Sequence, residues 1–128
     1  MNILIAGTFD HFHIGHQWLC WSAYDISKDV TVIVARDKTV KNIKQRETVN
    51  AETNRLKRVQ AEFIAYPTVK VRLGRVDADF QKTIQEENPD LIYLGYDQKF
   101  NPEIIKKQGI QVKRCTAYKP EFFKSSKF

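Results

Sequence analysis

A chain of 128 residues that is 42% hydrophobic and 12% aromatic carries enough apolar material for one core, and residues 1–128 are read as a single domain. With 21 Lys and Arg against 15 Asp and Glu the formal charge is +6, which favours anionic partners, but the sign alone does not choose between nucleotides, nucleic acid and acidic lipid. No run of about 18 apolar residues and no secretory signal is readable, which argues against a membrane partner and leads to the expectation of a cytoplasmic protein.

NILIA at 2–6, stopped by Gly7, is too short for a helix and fits a buried strand. From about Ile14 to Ser27 the positions Leu19, Ala23 and Ile26, with Trp18, Trp21 and Tyr24 beside them, have the spacing of one helix face. VTVIVA at 30–35 is rich in β-branched residues and reads as a second strand. The charged stretch 36–48, with scattered apolar residues, reads as a loop holding a helical turn. A helix then starts at Asn50 as N-cap, with Glu52 at the positive end of its dipole and Leu56, Val59, Phe63 and Ile64 as its buried stripe.

Beyond Pro67, the alternation of Val69, Val71 and Leu73 predicts a third strand, and Asp79 caps a helix over 80–88. LIYL at 91–94 is the fourth strand and GYDQKF the loop after it. Asn101-Pro102-Glu103 signals a short helix that Lys106, Lys107 and Gly109 end, before a fifth strand at 110–115. Strands alternating with helices imply a Rossmann-like, doubly wound five-stranded parallel sheet with helices on both faces and the order 3-2-1-4-5. Ligands in such sheets bind outside the strand C-termini where the winding reverses, between strands one and four. The loops GTFDHFHIGH and GYDQ both fall there.

All three histidines, His11, His13 and His16, lie in the first of these loops. If HIGH opens a helix, His13 and His16 stand one turn apart, Gly15 permits close approach to the backbone, and the helix N-terminus supplies N–H groups and a positive dipole end. Two imidazole donors at such a place suit the charge that builds on a phosphoryl group under in-line attack. Capping or solvated histidines are the bland alternative. A zinc site built from the three is another, although their spacing matches no zinc signature. Cys20 and Cys115 form no CxxC pair and are expected to be reduced and at least partly buried.

GTFDHFHIGH resembles the GTFD-x-x-H-x-G-H signature of the cytidylyltransferase-like nucleotidyltransferases. VARDKTVKNIKQR, LGYDQKF and YKPEFFKSSKF extend the resemblance over nearly the full length, most closely to archaeal-type FAD synthetases and next to glycerol-3-phosphate cytidylyltransferases. The resemblance implies attack of an acceptor phosphate on the α-phosphorus of a nucleoside triphosphate, with Mg²⁺ held through the phosphates rather than by protein side chains alone. By match to the motif, His13 and His16 stabilise the transition state. Gly7, Thr8 and Phe9 form the tight loop along the triphosphate, Asp10 arranges it, and Gly15 lies within the pair.

Lys41 and Lys44 match a basic loop that covers the substrates, and Arg55 matches an arginine that reaches phosphate. Gly95, Tyr96 and Asp97 match the place of base and ribose. Ser125, Ser126 and Lys127 match a hydroxyl-rich motif that grips the β and γ phosphates, although this chain stops at Phe128 where relatives continue into a helix. The frayed polar end is the other reading of that tail. The expected reaction is ATP plus FMN giving FAD, with Phe9, Phe12, Tyr96 and Phe100 as candidates for the flavin surface. CTP with glycerol 3-phosphate is the alternative within the class, and a nucleotide- or RNA-binding module without turnover is the alternative outside it. Relatives of this kind are commonly homodimers.

Overall fold

The computed structural model describes residues 1–44, 48, 50–96, 98–105 and 109–116, with backbone alone at 42–44. Five strands, β1 (Asn2–Gly7), β2 (Asp29–Val34), β3 (Val69–Leu73), β4 (Leu91–Leu94) and β5 (Gln111–Arg114), form one parallel sheet in the order β3-β2-β1-β4-β5. Among the described residues, four helices connect them: α1 (Ile14–Ile26) after β1, α2 (Asp37–Lys44) and α3 (Glu52–Glu62) in succession after β2, and α4 (Phe80–Glu87) after β3. The expected fold class and strand order are those observed.

The central strands are buried on both faces. Ile3, Leu4 and Ile5 are each 0% exposed, and burying side chains of this size contributes about 1.5–3 kcal/mol apiece. Ile3, Ile5, Val30, Val32 and Val34 pack with Leu19, Ala23, Val59 and Phe63 of the α1 and α3 layer. Leu4, Ile33, Ile92 and Leu94 pack on the other face with Ile84 of α4. Alternation along each strand thus divides the residues between two helical layers.

β1 and β2 pair from Asn2↔Asp29 to Gly7↔Val34, whereas β1 and β4 pair only at Ile3↔Leu91 and Leu4↔Ile92. The sheet therefore parts at the C-terminal ends of β1 and β4, where the winding reverses, and this opening positions the site.

Some sequence expectations are corrected. Residues 36–48 contain a full helix, α2, anchored by Val40 at 2% exposure. The α3 N-cap is Ala51, because Asn50 turns its side chain to Asp10. Ile26 and Ile64 are 42% and 86% exposed: the first ends α1, and the second lies past the C-cap Phe63, where the chain has left the helix. Asn101 caps as expected, accepting from the Glu103 N–H, but only a 3₁₀ turn at Pro102–Ile104 follows, and Lys106 and Lys107 lie outside the described residues. No described helix is long and apolar enough to cross a membrane.

Candidate active site

The loop from β1 to α1 is tightly built. Phe9 and His11 have φ of 56° and 52°, the left-handed region that side chains rarely occupy and that persists only where surrounding contacts enforce it. Phe9 is 2% exposed and tucks its ring under Gly7, where an added Cβ would lie 3.0 Å from the Phe9 Cζ. Phe9 thus anchors the loop with its ring, while still lining the cavity beside His11, Phe12 and His13.

The loop is pinned from α3. Asp10 Oδ1 accepts from the Asn50 backbone N–H at 3.0 Å and from Asn50 Nδ2 at 2.9 Å. Arg55, 1% exposed, donates from Nη1 to the Thr8 and Ala35 carbonyls, both at 2.7 Å, from Nε to the Asn50 carbonyl at 3.0 Å, and from Nη2 to Asp37 Oδ1 at 2.6 Å. The guanidinium expected to reach phosphate is committed instead to holding the loop, the end of β2 and the starts of α2 and α3 together. Its role in this structure is positioning.

His13 is the N-cap of α1. Its Nδ1 accepts from the Gly15 N–H at 3.0 Å, while the His13 N–H donates to His16 Nδ1 at 3.2 Å, so the two histidines form a reciprocal capping box. A nitrogen that accepts a backbone N–H cannot also carry a proton, and in the neutral imidazole the proton then resides on Nε2. The folded backbone therefore presents both rings as Nε2–H donors. Their centroids are 3.7 Å apart with planes 20° from parallel, and Phe12 stacks with His16 at 5.7 Å. Gly15 leaves room for this ring, since a Cβ would sit 2.9 Å from His13 Cε1 and displace it.

Across the opening, Gly95 lies at the end of β4 and Tyr96 is 58% exposed. Asp97, like Ser125, Ser126 and Lys127, lies outside the described residues. Two residues unassigned by the sequence shape this side. Gln98 accepts from the Gly95 N–H at 3.0 Å and donates to the Ala6 carbonyl at 3.1 Å, bridging β4 to β1 where their ladder has ended. Arg114 donates to the Gly95 carbonyl at 3.0 Å and to the Gln98 carbonyl.

Lys38 and Lys41 are exposed on α2, and Lys44 is the last described residue of that helix. The helix is fixed at its first residue: the Asp37 N–H donates to Glu52 Oε1 at 2.9 Å and the Glu52 N–H to Asp37 Oδ2 at 3.2 Å. Burial raises the Asp37 pKa, but the Arg55 hydrogen bond, the Glu52 N–H and the Thr48 hydroxyl outweigh it and hold the carboxyl below its ordinary value. Among the described residues no group of three His, Cys, Asp or Glu is placed to hold a metal ion. Cys20 and Cys115 are buried, and burial pushes the Cys20 thiol far up.

This geometry has counterparts in known proteins. Residues 4–127 match the family described as cytidylyltransferase-like. An FAD synthase of Aciduliprofundum boonei is 35% identical over 117 residues, spanning 88% of this chain and 75% of the relative. One from Thermoplasma acidophilum is 33% identical over 112 residues, again 88% and 75%. Among solved structures, the lipopolysaccharide core biosynthesis protein of Thermoplasma volcanium superposes with a TM-score of 0.78 at 28% identity, covering 93% of this chain and 98% of that one. With the histidine capping box at the crevice and the family match over almost all of its length, the chain belongs to the cytidylyltransferase-like family of nucleotidyltransferases.

Proposed function

We propose that the protein is an FAD synthase, transferring AMP from ATP to FMN. An oxygen of the FMN phosphate attacks the α-phosphorus, the bond from that phosphorus to the bridging oxygen of the β-phosphate breaks, and pyrophosphate leaves with the bond's electrons. The observation that carries the reading is the His13–His16 capping box, which aims two fixed Nε2–H donors from a helix N-terminus. Preorganised donors of this kind stabilise charge as it develops, and removing one typically costs about a hundredfold or more in turnover. Lys41 and Lys44 on α2 supply further positive charge, and Gly95 with Tyr96, just past β4, is assigned to base and ribose. Asp97, Ser125, Ser126 and Lys127 complete the nucleotide site in this proposal.

The choice of ATP and FMN rests on the names of the relatives. Mg²⁺ is taken, in this proposal, to be held through the phosphates. Bound there, it would neutralise charge on the triphosphate. Buried thiols at Cys20 and Cys115 suit a reducing, cytoplasmic setting. The test incubates the protein with Mg²⁺, equimolar ATP and CTP, FMN and glycerol 3-phosphate, and separates the products by chromatography. FAD is the expected product. CDP-glycerol without FAD would overturn the substrates and retain the reaction class.

A further inference from the structure

A cavity of about 530 Å³ opens between the histidine loop and the N-terminal half of α3, within the size range of small-molecule sites. His13 is part of its wall, so a molecule held here is continuous with the reacting centre. Phe12 and His11 line it from the loop; Asn50, Asn54 and Arg58 line it from α3. A larger cleft of about 770 Å³ at the ends of β2 and β3 shares no residue with the histidine loop. It has no aromatic wall, and its Arg72 and Arg75 are bound to Glu86, Glu87 and Asp77.

The smaller cavity holds side chains that the fold does not use. Asn54 is exposed, with no hydrogen bond to its carboxamide among the described residues, and His11 is exposed likewise. Phe12 is half-buried, one face toward His16, and the Arg58 guanidinium lies 4.9 Å from its ring centroid. Among the described residues Arg58 is otherwise held by an ion pair with Glu62 at 3.3 Å, its own side chain remaining half exposed. A guanidinium over a phenyl ring is a flat, polarisable wall that a planar heteroaromatic ring can join or replace by stacking.

We infer that this cavity is the flavin pocket, with the Asn54 carboxamide reading the imide edge of the isoalloxazine and the Phe12–Arg58 pair forming its stacking wall. The inference rests on FMN being the acceptor. An imide edge presents an N–H flanked by two carbonyl oxygens, and a carboxamide supplies one acceptor and one donor in the matching arrangement. With the ring seated there, the ribityl chain runs past Asn50 toward His13, and the phosphate reaches the α-phosphorus. Asn54 and Arg58 thereby become determinants of acceptor choice, and the triphosphate side of the site, between β1 and β4, is left to ATP.

Calorimetric titration with FMN and with N3-methyl-FMN tests this on the wild type and on Asn54→Leu, a substitution that an exposed helical position tolerates. Loss of the neutral hydrogen-bond pair should raise the FMN Kd of Asn54→Leu about tenfold, with the ATP Kd and Tm unchanged. N3-methyl-FMN should bind the wild type correspondingly more weakly than FMN, and the variant should not distinguish the two. A wild type that makes FAD while Asn54→Leu binds FMN as tightly overturns the pocket and leaves the function standing. A wild type that neither binds FMN nor forms FAD overturns the acceptor itself, and the pocket with it.

Discussion

Arg55 and Asp37 meet at 2.6 Å, and the pair is asymmetric: the guanidinium is 1% exposed, whereas the carboxylate side chain is 45% exposed. Through it the first residue of the lysine-bearing helix α2 is tied to the same cation that holds the Thr8 carbonyl of the histidine loop. Removing the buried partner should cost far more than removing the exposed one. Arg55→Met would leave the carbonyls of Thr8, Ala35 and Asn50 without their donor and is expected to destabilise by about 3 kcal/mol or more, against about 1 kcal/mol for Asp37→Asn. Urea denaturation of the two variants checks the ranking; equal losses would contradict the positioning role.

Acid stability should report on Glu62. Burial raises its pKa, but hydrogen bonds from Trp21 at 2.8 Å, Gln17 at 3.2 Å and Arg58 at 3.3 Å outweigh this and leave it below the ordinary value. A carboxyl depressed in the folded state contributes stability that is present above its unfolded pKa of about 4.3 and is lost as pH falls through the folded one. Unfolding free energy measured from pH 7 downward, with Trp21 fluorescence as the probe, should therefore fall more steeply in the wild type than in Glu62→Gln below about pH 4.5.

Gly15→Ala tests whether the capping box matters for chemistry. Alanine is the better helix former, so local propensity favours the change. The new Cβ would nevertheless lie 2.9 Å from His13 Cε1 and push the imidazole out of its hydrogen bond with residue 15. The expected result is a Tm within a few degrees of wild type and a kcat lower by roughly ten- to a hundredfold. Unchanged kcat would show that the position of His13 is not critical.

Gln98→Ala removes the side-chain bridge between Gly95 and Ala6 where β1 and β4 part. The ATP KM should rise roughly three- to tenfold, the worth of one or two neutral hydrogen bonds, while the FMN KM changes little. Steady-state kinetics with each substrate varied in turn separates the two; a selective rise in the FMN KM would place the nucleotide elsewhere.

Much of the fold was legible because its elements carry local signals. NILIA and VTVIVA are short apolar runs, Asp79 and Asn101 are caps, and Pro67 and Pro89 stop what precedes them. The alternation of strand and helix then fixes a parallel sheet. The α2 helix was not legible because, among its described side chains, Val40 alone is buried. Its start is fixed by Asp37 and Glu52, whose reciprocal hydrogen bonds join residues 15 apart in sequence. In the site, the histidine pair announced itself by spacing, but the burial of Arg55 could not be read, since what surrounds it is backbone carbonyls from three separate segments. Gln98 was hidden for the same reason: its partners are main-chain groups of Gly95 and Ala6, which no residue pattern marks.

The most direct measurement of the central claim compares turnover and stability in His13→Ala, His13→Asn and His16→Ala. Asparagine can still accept the Gly15 N–H as an N-cap, whereas alanine cannot, and the loss of a cap costs about 1 kcal/mol. If the two imidazoles act as Nε2–H donors, His13→Asn will recover the Tm lost in His13→Ala but not its kcat. All three variants will then turn over about a hundredfold or more slowly while ATP still binds. Wild-type kcat in both His13→Asn and His16→Ala would contradict the account.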